Sequence, residues 1–330
     1  MLMRLPLVVP VLFLASPPFS TWDEPWHEDV VRKAATFVKV KVLTNEEGRT
    51  ATAKVLEHVC GTEVAGEITI EGYYLLTLRS RSAPDDELQI RLRKDNTYYL
   101  FLGKSERGDG WALPTPSAGW AWLDKGNVLG TYRHSYHLCR VPEALYRDSQ
   151  KAIFQSLHGV AHDDAAMQKL MRNWLEKPPA RRKDDNQTAY ETFFCQHAAL
   201  ECFYYFGKAA EVALLEPFLG DEDSHAQISA ARALSRIDTK EVRERLFSFL
   251  TGNGDSFAKV MAVWGMRRLG AREYQERLAK FAATAPTEKT GFGGGIMDPR
   301  VGTSFPASVK AAVEELLDEW KKTKSDDGKR

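Results

Sequence analysis

Three segments decide the fold: "ALECFYYFGKAAEVALLEPFL" (residues 199–219), "AARALSRIDTKEVRERLFSFL" (230–250) and "AVWGMRRLGAREYQERLAKFA" (262–282) align without gaps. Ala199, Ala230 and Ala262 coincide, as do Leu215, Leu246 and Leu278, and Phe218, Phe249 and Phe281. The same turn recurs at Phe206-Gly207, Ile237-Asp238 and Leu269-Gly270; 31 residues separate Phe206 from Ile237 and 32 separate Ile237 from Leu269. Each unit reads as a helix pair in which small residues on one helix let large residues of the other approach. Such a unit buries its apolar stripe only by stacking on its neighbours. Helix starts agree: Asp223-Ser224 and Asp255-Ser256 precede helices, and Asp238 with Glu241 has the sequence of a capping box.

The pattern resembles the HEAT-repeat family in its short form, over roughly residues 191–322. The resemblance implies a right-handed α-solenoid, commonly a protein-binding scaffold, and implies no activity. Within it Arg236 and Arg268 occupy equivalent positions, with Arg232 and Arg267 nearby. On the inner face of a solenoid these would form a basic strip suited to an acidic peptide; the alternative is ordinary solvated arginines.

One repeat carries an insertion. The step from Leu219 to Ala230 is 11 residues and from Leu250 to Ala262 is 12, but from Ala282 to Ala312 it is 30. The extra chain is "TGFGGGIMDPRVGTSFP" (290–306), in an inserted loop over 285–305. No strand precedes its glycines and no helix follows them directly, which argues against a phosphate cradle. The expectation is an ordered flap on the binding face, with a disordered insertion as the alternative. Its candidate binding residues are Phe292 as an apolar anchor, Gly293, Gly294 and Gly295 as positive-φ bends, and Asp298 and Arg300 around a proline turn.

Upstream, the period changes. "FVKVKVL" places Val38, Val40 and Val42 on one face and Lys39 and Lys41 on the other, and "GEITI", "ELQIRLR" and "TYYLFLG" continue the alternation. Short alternating strands between polar turns predict an antiparallel half-buried sheet or a small barrel. Residues 37–141 resemble an OB-like or netrin-module-like barrel. The predicted class is therefore α+β, an N-terminal sheet or OB-like barrel followed by an α-solenoid of HEAT-like helix pairs. Residues 21–141 form the β domain, 142–185 a helical connector ending in the solvated linker "EKPPARRKDDNQ", 186–323 the repeats and 324–330 a disordered tail. In "SAGWAWLDKG" Trp120 and Trp122 alternate on one strand face; exposed they could stack on a sugar, buried they are core.

The start of the chain, MLMR followed by "LPLVVPVLFLA", has the basic lead and short apolar run of a secretory signal. It predicts export to the periplasm or outside the cell, with residues 1–20 removed and no membrane span thereafter. Export permits disulfides. Cys195 and Cys202 lie seven residues apart on one helix, roughly 10.5 Å and too far to bridge, whereas Cys60 and Cys139 are expected either to pair or to stay free.

Equal numbers of basic and acidic residues, 45 each among 330, give no electrostatic case for nucleic acid. No nucleophile elbow, phosphate loop or zinc-protease helix is present. The histidines of "HGVAH" (His158, His162) straddle a turn, and His134, His137 and His197 have no metal-ligand set around them. No catalytic residue, metal or cofactor is assigned. Three functions follow in order: a non-catalytic scaffold for a protein or peptide, a glycan or cell-wall binding module led by Trp120 and Trp122, and an envelope enzyme without recognisable motif.

Overall fold

The structure is a computed structural model that describes residues 22–46, 50–71, 76–79, 88–90, 92–106, 108–134, 137–181, 187–291, 295–296, 301–302 and 304–327. Residues 1–20, expected to be a signal, lie outside these residues, as do Phe292, Gly293, Gly294, Asp298 and Arg300 of the expected flap. The fold is α+β, with a barrel-like sheet followed by a helical part.

A short strand β1 (Trp22–Asp23) and helix α1 (His27–Lys33) lead into β2 (Thr36–Glu46), β3 (Thr50–Gly61) and β4 (Glu67–Glu71), an antiparallel meander. After the hairpin of β5 (Leu76–Arg79) and β6 (Leu88–Ile90) comes β7 (Thr97–Lys104), antiparallel to β2. Strand β8 (Trp111–Ala112) runs parallel to β4 and antiparallel to β7, so the ring β7–β2–β3–β4–β8 closes on itself. Strands β9 (Trp120–Asp124), β10 (Asn127–Thr131) and β11 (Leu138–Pro142) extend the sheet from the other edge of β7.

The alternation behaves as read. Val38, Val40 and Val42 point inward with Ile70, Tyr98, Leu100, Leu102 and Trp120. The outer face is not half-exposed as expected at β7, because Tyr99 and Phe101 are buried too. Helix α2 (Glu143–Leu157) covers them: Phe37 stacks on Phe101 with ring centres 4.4 Å apart, and Tyr146 and Phe154 pack onto that layer. Gly61 permits the close approach. Its φ is +92°, and a Cβ there would lie 2.9 Å from the Phe154 ring.

The helical part continues with α3 (Asp164–Leu175), α4 (Gln187–Phe206), α5 (Glu216–Leu219), α6 (Ser224–Leu234), α7 (Lys240–Thr251), α8 (Ser256–Arg268), α9 (Gln275–Ala282) and α10 (Val309–Asp327). Helix α4 packs on α6, α6 on α8 and α8 on α10, while α5, α7 and α9 pack on α6, α8 and α10 in turn. The aligned Ala199, Ala230, Ala262, Leu215, Leu246 and Leu278 are all buried. Asp223 and Asp255 cap α6 and α8 by accepting backbone N–H bonds, as their sequence indicated. The cap of α7 is Thr239 rather than Asp238; Asp238 instead accepts two bonds from Arg243. The first unit departs from a plain helix pair: residues Ala209–Leu215 are 3₁₀ and Pro217 opens the short α5. Backbone helix also runs on through Asp327, where a tail was expected to begin at residue 324.

Two connecting segments are held by specific hydrogen bonds: the linker, expected to be solvated, and the insertion, expected to be an ordered flap. The buried amide of Gln196 donates to the Pro178 carbonyl at 2.8 Å and accepts the Ala180 N–H at 2.8 Å, fixing the first half of the proline linker. In the insertion, β12 (Gly295–Ile296) pairs with β5 and β13 (Val301–Gly302) pairs with β1. Glu24 N–H donates to Gly302 O at 2.9 Å, Ser304 Oγ to Asp23 Oδ2 at 2.7 Å, and Thr290 Oγ1 to Pro306 O at 2.7 Å across the base. The described parts of the inserted chain thus act as a strap, tying the repeats to the N-terminal strand and the β5–β6 hairpin.

Cys60 and Cys139 do not form a disulfide; all four cysteines are free. Cys60 lies on β3 and Cys139 on β11, with β2, β7, β9 and β10 between them in the sheet. Burial pushes the Cys60 and Cys195 thiols up to about 12 and raises Cys139 and Cys202 as well.

Candidate functional site

A cavity of about 230 Å³ opens where α1 meets the C-terminal ends of α4, α6 and α8. Trp26, Glu28 and Asp29 line it from the start of α1, Tyr204 from α4, Arg232 and Ser235 from the end of α6, and Met261, Trp264, Gly265 and Arg268 from α8. The repeat explains the convergence. Glu201, Arg232 and Trp264 hold one aligned position in successive units, and Arg236 and Arg268 hold another, so stacking brings these positions side by side. Gly265 permits the stacking, since a Cβ there would sit 3.1 Å from both Ser235 and Leu246.

Three of the arginines read from the sequence gather around one phenol ring. The guanidinium carbons of Arg232, Arg236 and Arg268 lie 3.5, 4.6 and 5.4 Å from the centre of Tyr204, and Arg232 is also 5.4 Å from Trp26. Cation–π contact and the planarity of guanidinium hold such side chains in defined orientations. Arg268 Nη1 donates to the Tyr204 hydroxyl at 2.6 Å, and Arg236 Nε donates to the Tyr204 carbonyl at 3.0 Å. The Tyr204 hydroxyl in turn donates to Glu28 Oε2 at 2.7 Å, while Arg32 donates to Glu28 Oε1 at 2.8 Å. Burial alone would raise the Glu28 carboxyl, but the bonds from Arg32 and Tyr204 and the Arg268 charge hold it below its ordinary value. Arg267 is not part of this group; it pairs with Glu319 at 3.0 Å.

Behind the cavity lies a buried charge cluster. Glu201 is fully buried between Arg133 and Arg232, hydrogen-bonded by Arg232 Nη1, accepting Ser229 Oγ at 2.6 Å and lying 3.8 Å from Arg133 Nη1. Burial works against the charge of both guanidiniums. It brings Arg133 down to about 10, whereas Arg232, closer to Glu201 and set over the rings of Tyr205 and Tyr204, is raised above its ordinary value. Around Glu201 the cluster thus sets two guanidiniums, the inner one Arg133, fully buried, and the outer one Arg232 at the cavity wall.

The other expected positions fall elsewhere. Trp120 and Trp122 share a face as read, but Trp120 is 8% exposed, faces the barrel interior and donates its indole N–H to Ser117 O at 3.0 Å. Its ring is therefore not presented to a sugar. Gly295, the one of the three candidate glycines Gly293–Gly295 that lies among the described residues, sits in strand β12 on the β5 edge rather than in a bend. His158 ends α2 and its Nε2 lies 3.0 Å from Val31 O. His137 Nε2 faces His197 Nδ1 at 3.1 Å in a buried, stacked pair, with the half-buried His225 beside them at the junction of β11, α4 and α6. Among the described residues no group of three or more His, Cys, Asp or Glu is placed to hold a metal ion. Nor is any helix there long and apolar enough to cross a membrane.

Sequence reasoning found the arginines and missed Trp26, Glu28, Tyr204 and Trp264. Trp264 and Glu201 were visible as departures from the apolar pattern at the Arg232 position; Trp26 and Glu28 carried no local signal, because only tertiary packing brings α1 to the repeats. Comparison of the chain with protein-family models, with curated proteins and with solved structures yields no match.

Proposed function

We propose that the chain is an exported, non-catalytic scaffold of HEAT-like repeats and an OB-like barrel that binds a protein or peptide by taking one of its side chains into the Trp26–Trp264 cavity. The observation that carries this reading is the cavity itself. It has aromatic walls, arginines fixed by stacking, and enough room for an anchor side chain, the arrangement found at energetic centres of interfaces. The order of stacked helix pairs supports the HEAT-like assignment, and the ring β7–β2–β3–β4–β8 with β4 parallel to β8 supports the OB-like one. The basic, short apolar N-terminal run supports export.

Panning a displayed random-peptide library against residues 21–330 tests the reading. Enriched peptides should lose binding to Trp264→Ala while the variant melts within a few degrees of the parent. Peptides indifferent to Trp264, or no enrichment at all, would overturn it.

A further inference from the structure

We infer that the group accepted by the cavity is a carboxylate, carried beside an apolar or aromatic moiety on the partner peptide; this rests on the binding reading above. The charge layout selects the sign. Arg232 and Arg268 line the cavity, whereas the acid facing them, Glu28, already accepts from Arg32 and Tyr204 and lies 4.0 Å from Arg236. Asp29, the second acid of the lining, is exposed. Behind the wall, Glu201 answers two guanidiniums with one carboxylate. An entering cation would meet aromatic faces that guanidiniums already occupy at Tyr204 and Trp26.

Geometry selects the shape of the anion. Among the described residues the hydrogen bond of Arg268 is the one to the Tyr204 hydroxyl from Nη1, which leaves the rest of its planar fork for a carboxylate. Trp264 and Met261 on the same helix supply apolar surface next to that fork. A cavity of roughly 150 Å³ admits benzene; this one, at about 230 Å³, has room for a ring and a carboxylate together.

The experiment compares N-acetyl-phenylalanine, its neutral amide, and phenylalanine amide with a free amine, each titrated calorimetrically into the protein. The expected result is binding of the acid, at least about tenfold weaker binding of the neutral amide, and weakest binding of the amine. Arg268→Gln should abolish the preference for the acid, and Arg268→Lys should keep part of it, both melting within a few degrees of the parent. Equal binding of acid and neutral amide, still dependent on Trp264, would overturn the carboxylate assignment and leave the cavity as a peptide site. Preference for the amine, or binding of none of the three, would overturn the assignment as well. If in addition no library peptide depended on Trp264, the binding reading would fall with it.

Discussion

At the scale of single residues, the molecule is held at its joint by buried charges and imidazoles. Removing one partner of a buried pair leaves an uncompensated charge, at a cost of about 3–5 kcal/mol. Glu201→Gln, which strands both Arg133 and Arg232, should lower stability by about that much in urea melts. The double variant Glu201→Gln, Arg133→Met should recover part of the loss, because one stranded charge is gone; full additivity of the two changes would contradict the coupling. Burial holds His27 down to about 4 and His134 to about 3, below the ordinary 6.5. Their neutral forms are therefore native, and the unfolded chain binds more protons once the pH drops under 6.5. Their contribution is fully present above 6.5 and is lost as the pH falls towards 4, at roughly 1.4 kcal/mol per pH unit for each group. Thermal melts between pH 7.5 and 4 should show this slope, and His27→Gln should make it shallower. The cysteines give a separate check: native protein should react slowly with a thiol reagent, and unfolded protein should show four thiols.

At the scale of elements, the repeats were the most legible part because burial there is local and periodic. Ala230 and Leu246 face the same neighbours as Ala262 and Leu278, so one alignment places all of them. The barrel interior was legible through Val38, Val40 and Val42. The burial of Tyr99 and Phe101 was not, since it depends on α2 returning across the sheet from a distant part of the chain. Thr239 displaced Asp238 as the cap of α7 because adjacent side chains can both serve, and Arg243 draws Asp238 away. The insertion was recognised as extra chain, but its pairing with β1 and β5 rests on four residues of bridge and leaves no periodic trace. Shortening residues 290–303 to a tight turn should therefore release the first strand. Hydrogen exchange at the Glu24 amide should accelerate at least about tenfold while amides of α6 and α8 stay protected; an unchanged Glu24 amide would contradict the strap.

At the scale of the whole molecule, barrel and repeats share one core. Phe37, Tyr99 and Tyr132 belong to the same buried cluster as Phe203, Ala230 and Met261. The cavity sits on this shared joint, with Trp26 from one side and Trp264 from the other. A fragment of residues 21–141 should consequently expose that aromatic layer and bind a hydrophobic dye, whereas the full chain should not. The measurement that tests the central claim most directly is ¹⁹F NMR of the protein labelled with fluorotryptophan, titrated with the strongest peptide from the library. The resonances of Trp26 and Trp264, assigned by single substitution, should shift together and saturate at one peptide per chain while Trp120 and Trp122 stay unmoved. A saturable shift confined to Trp120 and Trp122, or one that spares Trp26 and Trp264, would contradict it.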